Sequence, residues 1–283
     1  MIPLQLEAPA KLNLALRIVG RRDDGYHELD SILVLIDLAD RLLLMPGCSG
    51  LRVVDPAGNP VPGVPVRPDA NLAWRGLEAG LGASPDDALA CLTLEKRIPV
   101  AAGLGGGSSD AAAGWRLGRR WRDAGDEGDH AALAVIGADV PYFAAAVAAA
   151  RVTGIGELVA PLEPVAGTII LVHPPFEMST PATFAATRPA DWSAGAPSGV
   201  AEALTDGVND LLPAARRLRP ELDDLMALVL AAGAVPRLTG SGPTLFAVVD
   251  GPDRAASVVA RLARAGLRAT ASAMRAAAAS IAA

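Results

Sequence analysis

Residues 99–113 read PVAAGLGGGSSDAAA, and this stretch decides the fold prediction. It places four glycines within the five positions 103–107, so the backbone there can adopt positive φ angles and approach a ligand closely. Ser108 and Ser109 stand where a helix N-cap is typical, and the alanines behind them favour a helix from about Ser108 to Trp121. Free N–H groups at the start of that helix, together with its dipole, would form a site for an anion, most often phosphate.

Three other interpretations of this loop are weaker. A glycine-rich turn capped by serine needs one glycine rather than four. A P-loop requires a lysine directly after its last glycine, and none follows here. A dinucleotide-binding fingerprint would need a third glycine where Ser108 stands, and a βαβ unit with an acidic residue about 20 positions further on.

Two motifs near the N-terminus carry polar side chains that are candidates for a functional site. In residues 8–14, APAKLNL, Lys11 and Asn13 alternate with apolar residues, so on a strand they project from the same face. Only two of the 25 basic residues are lysines, Lys11 and Lys96, so a lysine in this chain suggests a specific role. A solvated strand face is the alternative. Residues 24–29, DGYHEL, place an aromatic ring beside an imidazole in a turn, although alone such a pair is more often incidental.

Two further turns admit both a functional and a purely structural explanation. Residues 137–141, GADVP, hold Asp139 in an otherwise apolar turn, and a helix-capping aspartate is at least as good an explanation as catalysis. Residues 238–244, LTGSGPT, form a second glycine loop between two predicted strands, and a tight hairpin turn would also explain it.

Composition and charge exclude several classes of protein. Hydrophobic residues make up 51% of the 283 residues, and the mean hydropathy of +0.33 excludes intrinsic disorder. The 25 lysines and arginines against 31 aspartates and glutamates give a net charge of −6. This balance argues against a nucleic-acid-binding protein, which needs a basic face to neutralise phosphates.

Cysteine content and apolar runs predict the compartment. Two cysteines, Cys48 and Cys91, are too few for a disulfide scaffold and lack metal-ligand spacing. Residues 1–7 have neither the basic segment nor the long apolar segment of a signal peptide. The most apolar run, 140–150, is shorter than the roughly 20 residues of a membrane-spanning helix. We therefore expect a cytoplasmic protein with no membrane and no nucleic-acid partner.

The chain divides into two predicted domains. Pro161 and Pro164 mark a linker at 162–167, so we expect an N-terminal domain over 1–162 and a C-terminal domain over 163–283. Strand patterns dominate the first 54 residues, whereas strands and helices in the second domain predict an antiparallel sheet with helices on one face. The alanine-rich tail, 276–283, is expected to fray.

Taken together, the motifs at 8–29, 99–113, 136–143 and 238–246 resemble the GHMP superfamily of small-molecule kinases, in the family's order and approximate spacing. The resemblance spans residues 8 to about 249. It implies an α+β fold in which a ribosomal protein S5 domain 2-like N-terminal domain and a ferredoxin-like C-terminal domain enclose the active site in a cleft. The DGYHEL element resembles the one found in the branch of the superfamily that phosphorylates a cytidine-diphosphate-linked alcohol, a small-molecule substrate.

The resemblance implies ATP-dependent phosphorylation of the 2-hydroxyl of 4-(cytidine 5'-diphospho)-2-C-methyl-D-erythritol, in the non-mevalonate route to isopentenyl diphosphate. It implies Mg²⁺ as a cofactor, with ligands not assigned, and the catalytic residues Lys11 and Asp139, the latter as general base. The implied ATP-binding residues are Asn71, Pro99, Val100, Ala101, Ala102, Gly103, Leu104, Gly105, Gly106, Gly107, Ser108 and Ser109. The implied substrate-binding residues are Asn13, Tyr26, His27, Thr180, Phe184, Gly240, Ser241 and Gly242.

One departure and two alternatives stay open. Where the family usually has a glycine cluster, this chain has alanines at 144–146, which leaves open the conformation of the segment leading to Gly154. The alternatives are a GHMP kinase acting on homoserine or a mevalonate-type substrate, and a catalytically silent GHMP-fold protein that senses a nucleotide or metabolite. The presence of both Lys11 and Asp139 argues against a silent protein. We expect a monomer or a homodimer.

Overall fold

The computed structural model describes residues 2–125, 127–193, 195 and 197–282, which form two β-sheets with helices packed against them. The larger sheet contains β1 (Leu4–Arg21), β2 (His27–Pro46), β3 (Gly50–Val54), β4 (Ala90–Glu95), β5 (Ala149–Gly154) and β6 (Leu158–Pro161). The smaller sheet contains β7 (Thr168–His173), β8 (Arg237–Leu238), β9 (Leu245–Val249) and β10 (Arg268–Ala273). The helices are α1 (Leu72–Leu81), α2 (Gly106–Trp121), α3 (Val140–Ala144), α4 (Thr180–Ala186), α5 (Val200–Asp206), α6 (Leu212–Leu218), α7 (Glu221–Ala231) and α8 (Gly251–Arg264).

The long strand β2 organises the larger sheet. It pairs antiparallel with β1 along almost its whole length, with β4 through residues 41–46 and with β5 through residues 29–34. Loose alternation at residues 4–6 and 12–18 predicts two separate strands, whereas β1 is one continuous strand. Its pairing with β2 shifts between Pro9 and Lys11, between Asn13 and Ala15, and between Ile18 and Gly20. Two of these irregularities lie beside Lys11 and Asn13.

Helices α1 and α2 pack closely enough for their backbones to touch. A Cβ added to Gly76 of α1 would lie 1.9 Å from the carbonyl oxygen of Ala111, and one on Gly114 of α2 would lie 2.2 Å from that of Ala73. Only glycine fits at these crossing points, so the two helix backbones lie in direct contact.

The smaller sheet has the strand order β10-β7-β9-β8, with every pair antiparallel. Together with its helices this is the β-α-β-β-α-β order of a ferredoxin-like fold, as expected. One face packs against α7 and α8 through residues such as Ile170, Leu222 and Val258. The other face joins the larger sheet in one core that includes Leu171 and Leu14. The domain boundary at 162/163 stays a prediction, and the sheets themselves divide between Pro161 and Thr168.

The C-terminal tail does not fray, so that prediction is wrong. Residues 274–282 run back across the larger sheet, where Gln5 and Ala282 exchange two backbone hydrogen bonds of 2.9 Å. Arg116 of α2 donates to the carbonyl of Ala279 at 2.9 Å. Small alanines allow this close approach, and Ile281 packs into the core beneath α1.

The structure also bears on the cysteines, on the alanine segment at 144–146, on membrane-spanning helices and on elements that the sequence did not predict. Cys48 and Cys91 form one disulfide, which joins the turn after β2 to the start of β4. The alanine segment at 144–146 turns into β5 because Ala146 adopts a positive φ of 52°, a conformation usually left to glycine. Within the described residues no helix is long and apolar enough to cross a membrane. Strands β5 and β6 and helices α3 and α6 were not predicted.

Candidate active site

A cleft of about 910 Å³ collects the predicted site residues. All of them line it except Ser109 and Gly242. The walls come from β1, the β1–β2 turn, the glycine loop that leads into α2, the turn before α3, and α4.

The glycine loop takes the conformation that its sequence predicts. Gly103 and Gly105 have positive φ angles of 74° and 70°. Helix α2 begins at Gly106, two residues before the predicted start, with Gly105 as its N-cap and no side chain capping it. Its first residues line the cleft, so the N–H groups and the positive end of the dipole are available to an anion.

Two predicted ATP-binding residues, Ser109 and Asn71, use their side chains for hydrogen bonds that hold the fold together. The Ser109 hydroxyl is buried and donates to the carbonyl of Pro9 at 2.7 Å, so it ties α2 to β1 instead of lining the cleft. Asn71 caps α1, where its Oδ1 accepts from the backbone N–H of Ala73 at 2.9 Å. Its Nδ2 donates to the carbonyl of Pro65 at 2.7 Å and holds the neighbouring loop against the cleft.

Lys11, Asn13 and Asp139 converge beside the glycine loop. The Lys11 Nζ donates to Oδ1 of Asn13 at 2.6 Å and lies 3.6 Å from Oδ2 of Asp139. Asn13 is held in turn, because its Nδ2 donates to the Ser31 hydroxyl at 2.9 Å. The Lys11 side chain is only 5% exposed, whereas that of Asp139 is 34% exposed and open to a ligand.

Asp139 is not the helix-capping residue that the sequence left as an alternative. It directly precedes α3, but its side chain makes no capping hydrogen bond. Gly156 packs against its turn, since a Cβ on Gly156 would lie 2.7 Å from the carbonyl oxygen of Ala138. The carboxylate is therefore positioned in the cleft, beside a buried ammonium group, without a structural task of its own.

The second glycine loop is more than a hairpin turn. The Thr239 hydroxyl accepts a hydrogen bond from the backbone N–H of Asn13 at 3.1 Å. A Cβ on Gly103 would lie 2.7 Å from the carbonyl oxygen of Thr239, and one on Gly240 would lie 3.3 Å from Nζ of Lys11. Asn209 secures the loop, since its Nδ2 donates to the carbonyls of both Leu238 and Gly240 at 2.9 Å.

The other end of the cleft is aromatic. The His27 ring stacks on Phe184 with centroids 5.4 Å apart and meets Trp192 edge-on at 6.0 Å. Burial, and then the charge of Arg21, lowers the pKa of His27, so the imidazole is neutral at pH 7 and can both donate and accept. Tyr26 is 60% exposed at the cleft mouth. Sequence reasoning missed Trp192, which carries no motif of its own.

The Thr180 hydroxyl of α4 lies 2.8 Å from that of Ser241, which connects the aromatic end to the second glycine loop. Sequence reasoning also assigned no role to the buried charged residues Lys96 and Asp110, which line the cleft. The scarcity of lysine was the one signal for Lys96.

Comparison with known proteins gives the family of this chain. The family described as GHMP kinases N terminal domain matches residues 71–149, and the family described as GHMP kinases C terminal matches residues 193–268. A 4-diphosphocytidyl-2-C-methyl-D-erythritol kinase of Dinoroseobacter shibae is 40% identical, over 89% of this chain and 88% of that protein. The chain belongs to the GHMP kinase family. Within this family, the kinase of the same name from Thermus thermophilus is 38% identical over 88% of both chains.

Solved GHMP kinase structures share the whole fold. A crystal structure of 4-(cytidine 5'-diphospho)-2C-methyl-D-erythritol kinase matches this GHMP kinase with a TM-score of 0.78 and 37% identity, over 95% of this chain and 98% of that one. Homoserine kinase from Cytophaga hutchinsonii matches with a TM-score of 0.65 and 15% identity, over 100% and 98% of the two chains. The second match shows the fold alone. The expected two-domain kinase fold is thus confirmed.

Proposed function

We propose that this GHMP kinase transfers the γ-phosphoryl group of ATP to the 2-hydroxyl of 4-(cytidine 5'-diphospho)-2-C-methyl-D-erythritol, a step of the non-mevalonate route to isopentenyl diphosphate. The products are the 2-phosphate and ADP. One observation carries the proposal: the Lys11–Asp139 pair adjoins the anion-binding start of α2, and the same cleft ends in the His27–Phe184 stack. The names of relatives about 40% identical over most of the chain support this substrate.

Phosphoryl transfer needs mainly positioning and charge stabilisation. The Asp139 carboxylate accepts the proton of the 2-hydroxyl as its oxygen bonds to the γ-phosphorus, and the bond to the bridging oxygen breaks to release ADP. The Lys11 ammonium stabilises the charge on the transferred group. Asn13 keeps Lys11 in place through the 2.6 Å hydrogen bond. Arginine would not replace Lys11 because its planar fork has a different reach and hydration.

The triphosphate would lie against the first N–H groups of α2. No group of three or more His, Cys, Asp or Glu side chains that could hold a metal occurs among the described residues. The Asp139 carboxylate and the Ser108 hydroxyl both line the cleft and are oxygen ligands. The Ser108 hydroxyl lies 3.2 Å from a Cβ built on Gly137, in the turn that carries Asp139. This suits Mg²⁺, which keeps several waters and binds substrate phosphates. When bound, Mg²⁺ would neutralise phosphate charge.

The cytosine ring would be bound at the aromatic end. Its π face suits Phe184 and Tyr26, and stacking contributes on the order of 1–3 kcal/mol per base. A neutral His27 can match an edge that presents both a donor and an acceptor. Thr180 and Ser241 add hydroxyls close to this end.

Substitution of the catalytic pair tests the mechanism. Asp139→Ala and Lys11→Ala should each lower kcat by roughly a hundredfold or more while the melting temperature shows a folded protein. Asp37→Asn, an exposed carboxylate on β2 outside the cleft, serves as control and should keep wild-type kcat. Near wild-type turnover in either alanine variant would remove its assigned role.

Substitution of His27 tests the substrate site. His27→Ala should raise the KM for the cytidine substrate, leave the KM for ATP intact, and reduce discrimination against a uridine analogue, because rejection depends on unpaired polar groups. An unchanged cytidine-to-uridine ratio would contradict the assignment.

An ADP-release assay separates the alternatives. The cytidine-diphosphate-linked alcohol should release ADP, whereas homoserine and mevalonate should not. Release with either of those alcohols alone would favour another GHMP kinase, and release with none would favour a silent sensor. A cytoplasmic location and a monomeric or homodimeric state stay predictions.

A further inference from the structure

Trp192 lies next to the aromatic end of the cleft without belonging to its wall. The cleft is lined by His27 and Phe184, and Trp192 is not among the lining residues. Its indole meets the His27 ring edge-on, with centroids 6.0 Å apart and the two planes at 90°. A ligand in the cleft therefore contacts His27 directly and is separated from Trp192.

The orientation of the His27 ring depends on its aromatic neighbours. Among the described residues, no hydrogen bond holds either ring nitrogen, and the ring contacts are those with Phe184 and Trp192. The last side-chain torsion of a histidine has a broad, roughly two-fold preference, so neighbouring groups must select the ring orientation. The stack on Phe184 restrains one face of the imidazole, and the indole restrains it at a right angle. Both nitrogens stay available to a ligand.

The indole of Trp192 is itself held in place. Its Nε1 donates to the Thr187 hydroxyl at 3.3 Å, and the backbone N–H of Trp192 donates to the carbonyl of Pro189 at 3.2 Å. The indole also packs on the apolar cluster that includes Leu16 and that Phe184 covers as well. One cluster thus supports both rings that contact the imidazole.

The residues on either side of Trp192 are tied to other elements. Arg217 of α6 donates to Oδ2 of Asp191 at 2.5 Å. The Ser193 hydroxyl donates to Oδ1 of Asp210 at 2.6 Å, and the Ser193 N–H donates to Oδ2 at 3.0 Å. Asp210 is only 2% exposed and also accepts from the backbone N–H of Ile18 at 2.8 Å, so it connects this segment to β1. The position of Trp192 is therefore set by the fold and not by the local loop alone.

We propose that Trp192 is a positioning residue for substrate specificity, which fixes the His27 ring in the orientation that reads the donor and acceptor edge of the cytosine base. The inference rests on the proposed function for the identity of that base. Trp192 does not touch the substrate and takes no part in phosphoryl transfer. Its loss lets the imidazole turn, so the site distinguishes a cytosine edge from a uracil edge less well, while the Lys11–Asp139 pair stays intact.

Steady-state kinetics of Trp192→Leu, with the cytidine substrate and its uridine analogue, test the proposal. Leucine fills the apolar site without supplying a ring. The KM for the cytidine substrate should rise about twofold to tenfold, the range that an aromatic pair contributes, and the cytidine-to-uridine ratio of kcat/KM should fall by a similar factor. The kcat and the KM for ATP should keep their wild-type values. Trp192→Phe, which keeps a ring, should recover most of the ratio.

The matched control is Trp121→Leu, because Trp121 is a partly buried tryptophan at the end of α2, outside the cleft. This variant should keep the wild-type ratio. A double variant separates positioning from general packing: because Trp192 acts through His27, His27→Ala with Trp192→Leu should have the same ratio as His27→Ala alone. An unchanged ratio in Trp192→Leu, or a further loss in the double variant, would overturn the proposal.

Proton NMR of the wild type gives a second readout, which does not depend on whether a variant folds. The chain has three histidines and four tryptophans, so His27→Ala and Trp192→Phe assign the two rings. Nuclear Overhauser contacts between the His27 imidazole and the Trp192 indole should be present both in the free protein and with cytidine 5'-diphosphate bound. Loss of these contacts on binding would overturn the proposal. No conversion of the cytidine substrate by the wild type would instead overturn the proposed function.

Discussion

Gly103 joins the two glycine loops, and Gly103→Ala tests whether their contact positions the phosphate site. Its φ of 74° is a left-handed conformation that costs an alanine about 1–2 kcal/mol. The added Cβ would also lie 2.7 Å from the carbonyl oxygen of Thr239 and 2.8 Å from that of Gly242. Both are backbone atoms, so no flexible side chain can move aside.

The size of the effect follows from these distances. Ordinary contact begins at 3.4 Å, so the two loops must separate by about 0.6–0.7 Å. Overpacking of this kind adds about 1–3 kcal/mol, for a total loss of about 2–5 kcal/mol in the free energy of unfolding. Because a displacement of about 1 Å can cost a hundredfold in rate, we expect kcat/KM for ATP to fall roughly tenfold to a hundredfold.

Urea denaturation and steady-state kinetics measure the two effects. Gly266→Ala is the matched control, because Gly266 has a φ of 79° and nothing within 4 Å of an added Cβ. Its free energy of unfolding should fall only by the about 1–2 kcal/mol that a left-handed conformation costs an alanine, and its kcat/KM should stay at the wild-type value. If Gly103→Ala behaved like this control in both assays, the contact between the loops would not position the site.

Three further predictions concern stability. Burial, and then the charge of Arg268, lowers the pKa of His173 to about 4, so the unfolded chain takes up a proton at a higher pH than the folded protein. The free energy of unfolding should therefore fall as the pH decreases from about 6.5 to 4. Urea denaturation at a series of pH values should show a smaller fall for His173→Gln. Deletion of residues 276–283 should lower the melting temperature, since the tail is bonded to Gln5 and Arg116, and an unchanged temperature would contradict that role. The disulfide joins residues 43 positions apart, so reduction should cost up to about 4 kcal/mol, and Cys48→Ser should show no response to reductant.

Local sequence patterns predicted the glycine loop and α2 because both depend on short-range rules. The start of α2 was misplaced since Gly105, in a left-handed conformation, takes the N-cap position that the serines suggested. Strand β5 follows an alanine-rich segment with little strand propensity, and it forms because β2 offers it an edge. The tail at 276–283 packs for a similar reason: its partner lies far away in sequence.

The candidate site was likewise predicted only where a local motif marks its residues. Family motifs indicated Lys11 and Asp139, and the structure brings them within 3.6 Å. The contact of Asn13 with Thr239 spans 226 residues, and no local pattern predicts it. Asp40 likewise carries no motif, although it meets Lys96 across 56 residues.

Analysis of the reaction product tests the central claim most directly. Wild-type protein with ATP, Mg²⁺ and 4-(cytidine 5'-diphospho)-2-C-methyl-D-erythritol should form one ADP per molecule of alcohol consumed, and phosphorus NMR should show one new phosphomonoester, at the 2-hydroxyl. No ADP above the ATP-only control, or a phosphate on another hydroxyl, would contradict the account.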